Sequence, residues 1–263
     1  MPDRENVAGM RSFEDLVAEA QSADVSGWGF SWLDGRAIEA RPSWGYAELL
    51  ARRLAGAERA LDLDTGGGEV VNEATVLPRT MIVTEAWPPN AVRARQTLGA
   101  RGVSVVDVDA GVSRLPFGDA MFDLVTARHP VRPNWSEVHR VLRRGGTYFA
   151  QHVGPASAFE LIEYFLGPLP EEIRAGRDPQ READDARSAG LTVERLLTAR
   201  CRMEFFDVGA VVWILRKCVW WVPGFSIGRY DTQLRELDEM MRSGESFVAH
   251  STRHLITARR PAS

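Results

Sequence analysis

The sequence predicts an α/β fold: a mostly parallel sheet with helices on both faces. Three observations predict it. From about residue 60 to residue 153, short apolar runs alternate with helical patterns, the signature of parallel strands joined by crossover helices. The first run ends in acids and a burst of glycines, "ALDLDTGGGEV", as a strand does when it turns under a ligand. The balance of 44% hydrophobic and 26% charged residues over 263 positions is that of a folded soluble chain. We read residues 1–263 as one domain, with an N-terminal helical and aromatic cap over 1–57, a core over 58–154, and the rest of the sheet with inserted helices over 155–263.

The elements follow in order. The first forty residues mix a helical pattern with an aromatic segment, "GWGFSWLDGRA". "SWGYAELLARRL" reads as a helix opened by Ser43 behind Pro42, with Leu49, Leu50 and Leu54 on one side. "RALDLD" is a strand, Val70–Leu77 a short helix or turn, and "MIVTE" a strand. "PPNAVRARQTLGA" is a helix with proline at its start and glycine after it. "GVSVVDV" is a strand, "SRLPFGDA" a loop, "MFDLVTA" a strand, "NWSEVHRVLRRGG" a helix with a glycine stop, and "TYFAQHV" a strand. Beyond residue 154, "ASAFELIEYFLG", "DPQREADDARSAG", "DVGAVVWILRKCVWW" and "DTQLRELDEMMRSG" read as helices. "LTVERLLTARCRMEF" and "SFVAHSTRHLITARR" read as strands, an added or antiparallel pair at the sheet edge.

Composition excludes several classes. The formal net charge is -4, with no basic tail, which disfavours a dedicated nucleic-acid binder. The most apolar stretch, "VGAVVWILRKCVWWV", is interrupted by Arg216 and Lys217 well short of the ~20 residues of a membrane span. The acidic N-terminus has no signal-peptide core, so the expected location is cytoplasmic. Cys201 and Cys218 imply no disulfide framework. There is no H-E-x-x-H motif and no Cys/His cluster, so no catalytic metal is expected; His250 and His254, four apart on a strand, share a face without forming a compact metal pair. His139 reads as structural, and His152, after the fifth strand, as a residue near the cleft.

The glycine loop narrows the ligand. It has neither the G-x-G-x-x-G spacing of a dinucleotide site nor a P-loop motif, and its acids, Asp64 and Glu69, repel phosphate. Glu85 ends the second strand 23 residues after Asp62, where a carboxylate accepts from both hydroxyls of a ribose. The third strand ends in Asp107–Val108–Asp109, beside which an adenine can be read. These features describe a nucleoside with a cationic tail.

Four pieces, "ALDLDTGGGEV", "IVTEAWPPN", "SRLPFGDAMFDLVTARH" and "HRVLRRGGTYFAQHVG", stand in order over roughly residues 58–154, and on them the chain resembles a class I S-adenosylmethionine-dependent methyltransferase of a bacterial small-molecule subgroup. The resemblance implies a Rossmann-like seven-stranded sheet with a reversed last strand and helical additions at both ends. It implies S-adenosyl-L-methionine as cofactor, with Asp62 organising the loop and the amino group, Gly66 and Gly68 close to the cofactor, Glu85 on the ribose, and Ala86 beside the adenine. It places Asp109, Ala110 and Gly111 along the adenine edge, and Arg128 and His129 beneath the reactive end. Two departures stand out. Asp64 occupies a glycine position of the family, and Gly111 stands where the family usually has the adenine acid, with Asp109 the nearest substitute.

The expected reaction is methyl transfer to an oxygen or nitrogen of a small molecule, secondary-metabolite tailoring included. Alignment of donor and acceptor does most of the work, and His129 is the candidate general base. Arg128 is a candidate ligand for a carboxylate. Trp28, Phe30, Trp32, Trp44 and Tyr46 form either a lid or a cap glued on by aromatic packing, with Asp34 and Arg36 able to pair and fix it. Trp32, Arg36, Tyr46 and Trp213 are candidate substrate contacts, although 208–222 reads equally as core or as a homodimer contact. The alternatives are RNA methylation, against which "ARHPVRPNW" stands where an N-P-P-Y-like motif is needed, and a non-catalytic binding protein on the same fold, which Asp64 favours.

Overall fold

The computed structural model describes residues 11–27, 29–111 and 113–263. In chain order the strands are β1 (Ala37–Glu39), β2 (Arg59–Leu63), β3 (Thr80–Glu85), β4 (Ser104–Asp107), β5 (Phe122–Arg128), β6 (Leu142–Val153), β7 (Thr192–Phe205) and β8 (Phe247–Arg259). The helices are α1 (Phe13–Ser22), α2 (Tyr46–Gly56), α3 (Glu69–Asn72), α4 (Pro88–Leu98), α5 (Trp135–Val141), α6 (Phe159–Leu166), α7 (Glu171–Arg174), α8 (Pro179–Ser188), α9 (Val208–Lys217) and α10 (Asp231–Arg242). They group into two compact units.

The larger unit comprises 41–157, 170–201 and 251–263. Its strands run β7-β8-β6-β5-β2-β3-β4. β2, β3, β4, β5 and β6 pair in parallel, while β8 lies antiparallel to β6. This is the expected sheet with its last strand reversed. Two cores cover its faces. One joins Leu61, Val125 and Tyr148 to Trp135 and Val138 of α5 and Ala186 of α8. The other joins Ala60, Val83 and Phe149 to Leu50 and Leu54 of α2 and Leu98 of α4. The buried residues alternate between these cores along each strand, which is why the strands read as near-continuous apolar runs.

Two motifs of the sequence lock together here. Arg140, on α5, donates to the Phe117 and Leu115 carbonyls at 2.7 and 3.1 Å, and Glu137 accepts from the Leu115 N–H at 2.7 Å. The "LPF" loop is thus fastened by the "RVL" helix.

The smaller unit comprises the described residues up to Ala40, with 158–169 and 202–250. Its core is α1, α6, α9 and α10, with nearly every side chain of α9 buried. Here β1 pairs antiparallel with Met203–Phe205 of β7, a short strand with no sequence signal of its own.

Two boundaries differ from expectation. α2 begins at Tyr46 behind Gly45, whose φ of 59° makes the entry turn, and not behind Ser43. The helix before the double glycine ends at Val141, because Leu142 is already extended and pairs with Phe122. No helix among the described residues is long and apolar enough to cross a membrane.

Candidate functional site

The site grows from the carboxyl ends of β2, β3 and β5 in the larger unit, where a parallel sheet leaves its ligand crevice. Asp62 on β2 is buried, and its carboxylate accepts from the Thr126 hydroxyl of neighbouring β5 at 2.5 Å. Burial pushes its carboxyl up to about 6. The chain then turns sharply. Asp64, Gly66 and Gly68 take φ of 53°, 65° and 81°, a left-handed conformation that costs glycine little and other residues more. Gly68 is required twice over, since a Cβ there would meet Leu98 of α4 at 2.6 Å.

Glu85 at the tip of β3 closes the loop from the other side. Its Oε2 accepts from the Gly66 N–H at 2.8 Å, and its Oε1 from the Ala86 and Trp87 N–H groups at 3.0 and 2.8 Å. A carboxylate has about four acceptor positions, so one remains on Oε2 at the mouth of the loop. Beside it opens a cleft of about 520 Å³ lined by Ala86, Pro88, Asp107, Asp109 and Arg114. Asp107 is committed to Arg95 at 2.7 Å, and Gly111 makes a left-handed turn two residues beyond Asp109.

At the end of β5, Arg128 is exposed and His129 adopts φ of 57°. The His129 N–H donates to the Gln151 carbonyl at 2.7 Å. Its ring Nε2 lies 3.0 Å from Gln151 Nε2, and Gln151 Oε1 lies 2.8 Å from Trp44 Nε1. An indole nitrogen can only donate, so the amide oxygen of Gln151 faces Trp44 and its NH₂ faces the histidine. His129 Nε2 therefore accepts, and the proton sits on Nδ1. Burial, with the charges of Arg253 and Arg128, holds the imidazole well below its ordinary value, so the ring is neutral. Burial raises the Asp64 carboxyl, and the Val131 backbone N–H opposes that rise.

Tyr46 belongs to this unit but its polar end is already used: the hydroxyl donates to the Ala127 carbonyl at 2.9 Å and the ring stacks on Phe149. Trp32, Arg36 and Trp213 come together in the smaller unit. Trp32 and Trp213 stack at 5.5 Å, the Arg36 guanidinium lies 4.0 Å over Trp32, and the Trp213 indole donates to the Asp24 carbonyl. The expected Asp34–Arg36 pairing is corrected. Arg36 makes a bidentate pair with Asp207, both contacts at 2.8 Å, and a third contact to Glu19 at 3.0 Å. A fork of donors is better matched by the Asp207 carboxylate than by a neighbour on its own turn. Trp28 lies outside the described residues. Sequence reasoning missed Gln151, Trp44 as its partner, and Thr126, which acquire meaning only through strand pairing.

The comparisons with known proteins agree with this geometry. The family model for a methyltransferase domain matches residues 61–150. A demethylmenaquinone methyltransferase of Deinococcus radiodurans is 32% identical over 186 residues, covering 56% of this chain and 76% of its own. Among solved structures, a Bacillus halodurans protein described as a methyltransferase aligns with a TM-score of 0.57 at 20% identity, over 82% of this chain and 98% of its own. The YcgJ protein of Bacillus subtilis gives 0.56 at 17%, over 83% and 99%. These two likenesses concern the fold, whereas the Deinococcus relationship is close enough in sequence to show the family. The chain belongs to the class I S-adenosylmethionine-dependent methyltransferases, and its reaction is methyl transfer from S-adenosylmethionine to a small-molecule acceptor.

Proposed function

We propose that the acceptor atom is an oxygen or nitrogen, presented at the end of β5 beside His129. The bound cofactor supplies an electrophilic methyl carbon on a sulfonium, so the protein's work is alignment. Glu85 offers its remaining acceptor position to a ribose hydroxyl. Asp62, kept from water and reluctant to ionise alone, suits a cationic amino group. Gly66 and Gly68 keep the loop backbone open to close approach, while Ala86, Asp109, Ala110 and Gly111 border the adenine. Arg128, exposed at the strand end, suits a carboxylate of cofactor or acceptor. With Nε2 occupied by Gln151, His129 presents an Nδ1–H donor, so it orients the acceptor rather than taking its proton. In this reading Tyr46 shapes the wall from behind β5. Arg36 and Trp213 have their polar groups used within the smaller unit, where Trp32 stacks on Trp213, and in this reading all three serve its packing rather than the acceptor.

The net charge of -4 favours a small molecule over a nucleic acid, and a cytoplasmic location follows from the composition. Residues 1–263 act as one catalytic domain, since β7 and β8 each contribute residues to both units. A homodimer contact through 208–222 would fall to Val219 and Trp220, which are 62% and 56% exposed while most of α9 is buried.

The observation that carries this reading is the Glu85 carboxylate pinned to the Gly66 N–H with an acceptor position to spare. Calorimetry with S-adenosylmethionine tests it. Wild-type chain binds saturably, and Glu85→Ala binds about 10- to 100-fold more weakly, the range of one charge-assisted contact and its support. No binding by the wild-type chain at millimolar cofactor would sink the cofactor-site reading.

A further inference from the structure

A cluster that the methyl-transfer site does not use lies on the other face of β6. His152 follows Gln151, so the two side chains point to opposite faces. His254 of β8 stands directly opposite His152 in the antiparallel register. Glu182 of α8 reaches down between them. Its Oε2 lies 2.5 Å from His152 Nδ1 and 2.9 Å from His254 Nε2. Both rings are almost fully buried, at 2% and 0% exposure. The sequence gives no hint of this trio, because its members are separated by 30 and 72 residues and follow no ligand spacing.

We propose that His152, Glu182 and His254 form a binding site for a divalent transition metal, zinc above all, that clips α8 onto β6 and β8. Four features support it. Two imidazole nitrogens and a carboxylate oxygen are a donor set that zinc takes, and the three ligand atoms already lie within 4.8 Å of one another. Both rings aim at the same carboxylate oxygen although the carboxylate has two, so the donors converge on a point. Zinc–ligand bonds of about 2.0–2.1 Å in tetrahedral array separate the ligand atoms by roughly 3.3 Å. The two His–Glu182 separations reach that by opening about 0.8 and 0.4 Å, within the freedom of a glutamate side chain, and the two imidazole nitrogens lie within 4.8 Å of each other. The Tyr148 hydroxyl lies 2.9 Å from His152 Nε2, which turns Nδ1 forward as an outer hydrogen bond does for a metal-bound histidine.

The fourth feature is an unmatched cost. His254 Nδ1 is buried with no hydrogen-bond partner. Keeping a polar ring fully buried with one nitrogen orphaned costs about 1–3 kcal/mol. The hydrogen bond from its other nitrogen to the Glu182 carboxylate offsets much of that, and a metal bond there would offset it with a margin. Arg177 adds positive field at His152, but its side chain is exposed and screened. With three protein ligands the metal keeps a further position, and the partly exposed side of Glu182 is where water reaches it.

The test uses the full chain. Protein stripped with a chelator is equilibrated with zinc chloride, desalted, and its zinc counted by mass spectrometry; cobalt(II) in place of zinc reports tetrahedral coordination by its visible absorption. Wild type retains about one zinc per chain, and its melting temperature rises with zinc. His254→Ala and Glu182→Gln retain at least about tenfold less and lose the zinc-dependent rise. His250→Ala, altering a histidine that pairs with Glu160 elsewhere, behaves as wild type. If His254→Ala fails to fold, the Glu182 variant, at a side chain that is only partly buried, decides alone. No zinc on the desalted wild type, or equal zinc on the Glu182→Gln chain, overturns the site and leaves a hydrogen-bonded trio. Loss of cofactor binding plays no part in either outcome, so this test is independent of the proposed function.

Discussion

The carboxyl edge of the larger unit and the aromatic cluster of the smaller unit both concentrate residues that look functional in the sequence, yet they are built in opposite ways. In the Trp32–Arg36–Trp213 cluster every strong group is mated. The guanidinium meets two carboxylates and a ring face, the indole meets a carbonyl, and the two tryptophans stack. At the ends of β2 and β5 the groups are held short of satisfaction. Asp64 and His129 sit in left-handed backbone, Asp62 is buried with a raised carboxyl, and Glu85 keeps an acceptor position open. Strain and spare capacity belong where a ligand will complete the structure, and completeness belongs where the fold itself is the product.

The sharpest way to break this comparison is to remove a mated group. Arg36→Ala leaves the Asp207 carboxylate without its cation, while Glu19 keeps Arg11, and opens space over the Trp32 ring. Removing one partner of a largely desolvated pair costs about 3 kcal/mol or more. Urea unfolding followed by tryptophan fluorescence should show that loss. A change below about 0.5 kcal/mol would mean the cluster is surface ornament rather than a keystone of its unit.

A smaller effect belongs to Asp62. Its buried carboxyl titrates near 6 instead of the ordinary 3.8, with the Thr126 hydroxyl and the Asp64 carboxylate facing it and the Tyr46 ring behind. Because the folded value is raised, the fold disfavours the ionised form. Stability of the cofactor-free protein therefore falls as pH rises from about 4 to about 6, by roughly 2–3 kcal/mol, and is flat above. Cofactor affinity should move the other way across the same window, rising as the carboxylate forms. Asp62→Asn should flatten both curves, and an unchanged stability profile in that variant would place the titration elsewhere.

The same contrast explains what could be read in advance. The strands were legible because burial on both faces makes them apolar throughout, as Leu61 and Val83 illustrate. The acids at strand ends were legible because a chain turn and an acid coincide there. Gln151 was not, since its meaning lies in Trp44, 107 residues away, and in a ring nitrogen across the sheet. Asp34 is the acid near Arg36 in sequence, whereas its actual partner, Asp207, lies 171 residues on. The helical pattern before Gly145 runs past the helix's end at Val141, because pairing of Leu142 with Phe122 outweighs local helical preference.

Asp64 gives the smallest and most discriminating test, because it alone departs from the family pattern inside the strained region. At φ of 53° an aspartate costs about 1 kcal/mol more than glycine, and the Val131 N–H only partly favours its carboxylate against burial. Asp64→Gly should therefore stabilise the cofactor-free chain by about 1 kcal/mol or slightly less, read as a rise in melting temperature. The accompanying change in turnover separates two histories of the residue. If cofactor binding tightens and turnover rises, the aspartate is an obstruction that the fold tolerates. If the chain becomes more stable and turns over more slowly, the Asp64 carboxylate is part of how the cofactor or acceptor is aligned. A destabilised glycine variant would mean that the Val131 contact outweighs the backbone strain, and the division between mated and strained regions would have to be redrawn at this residue.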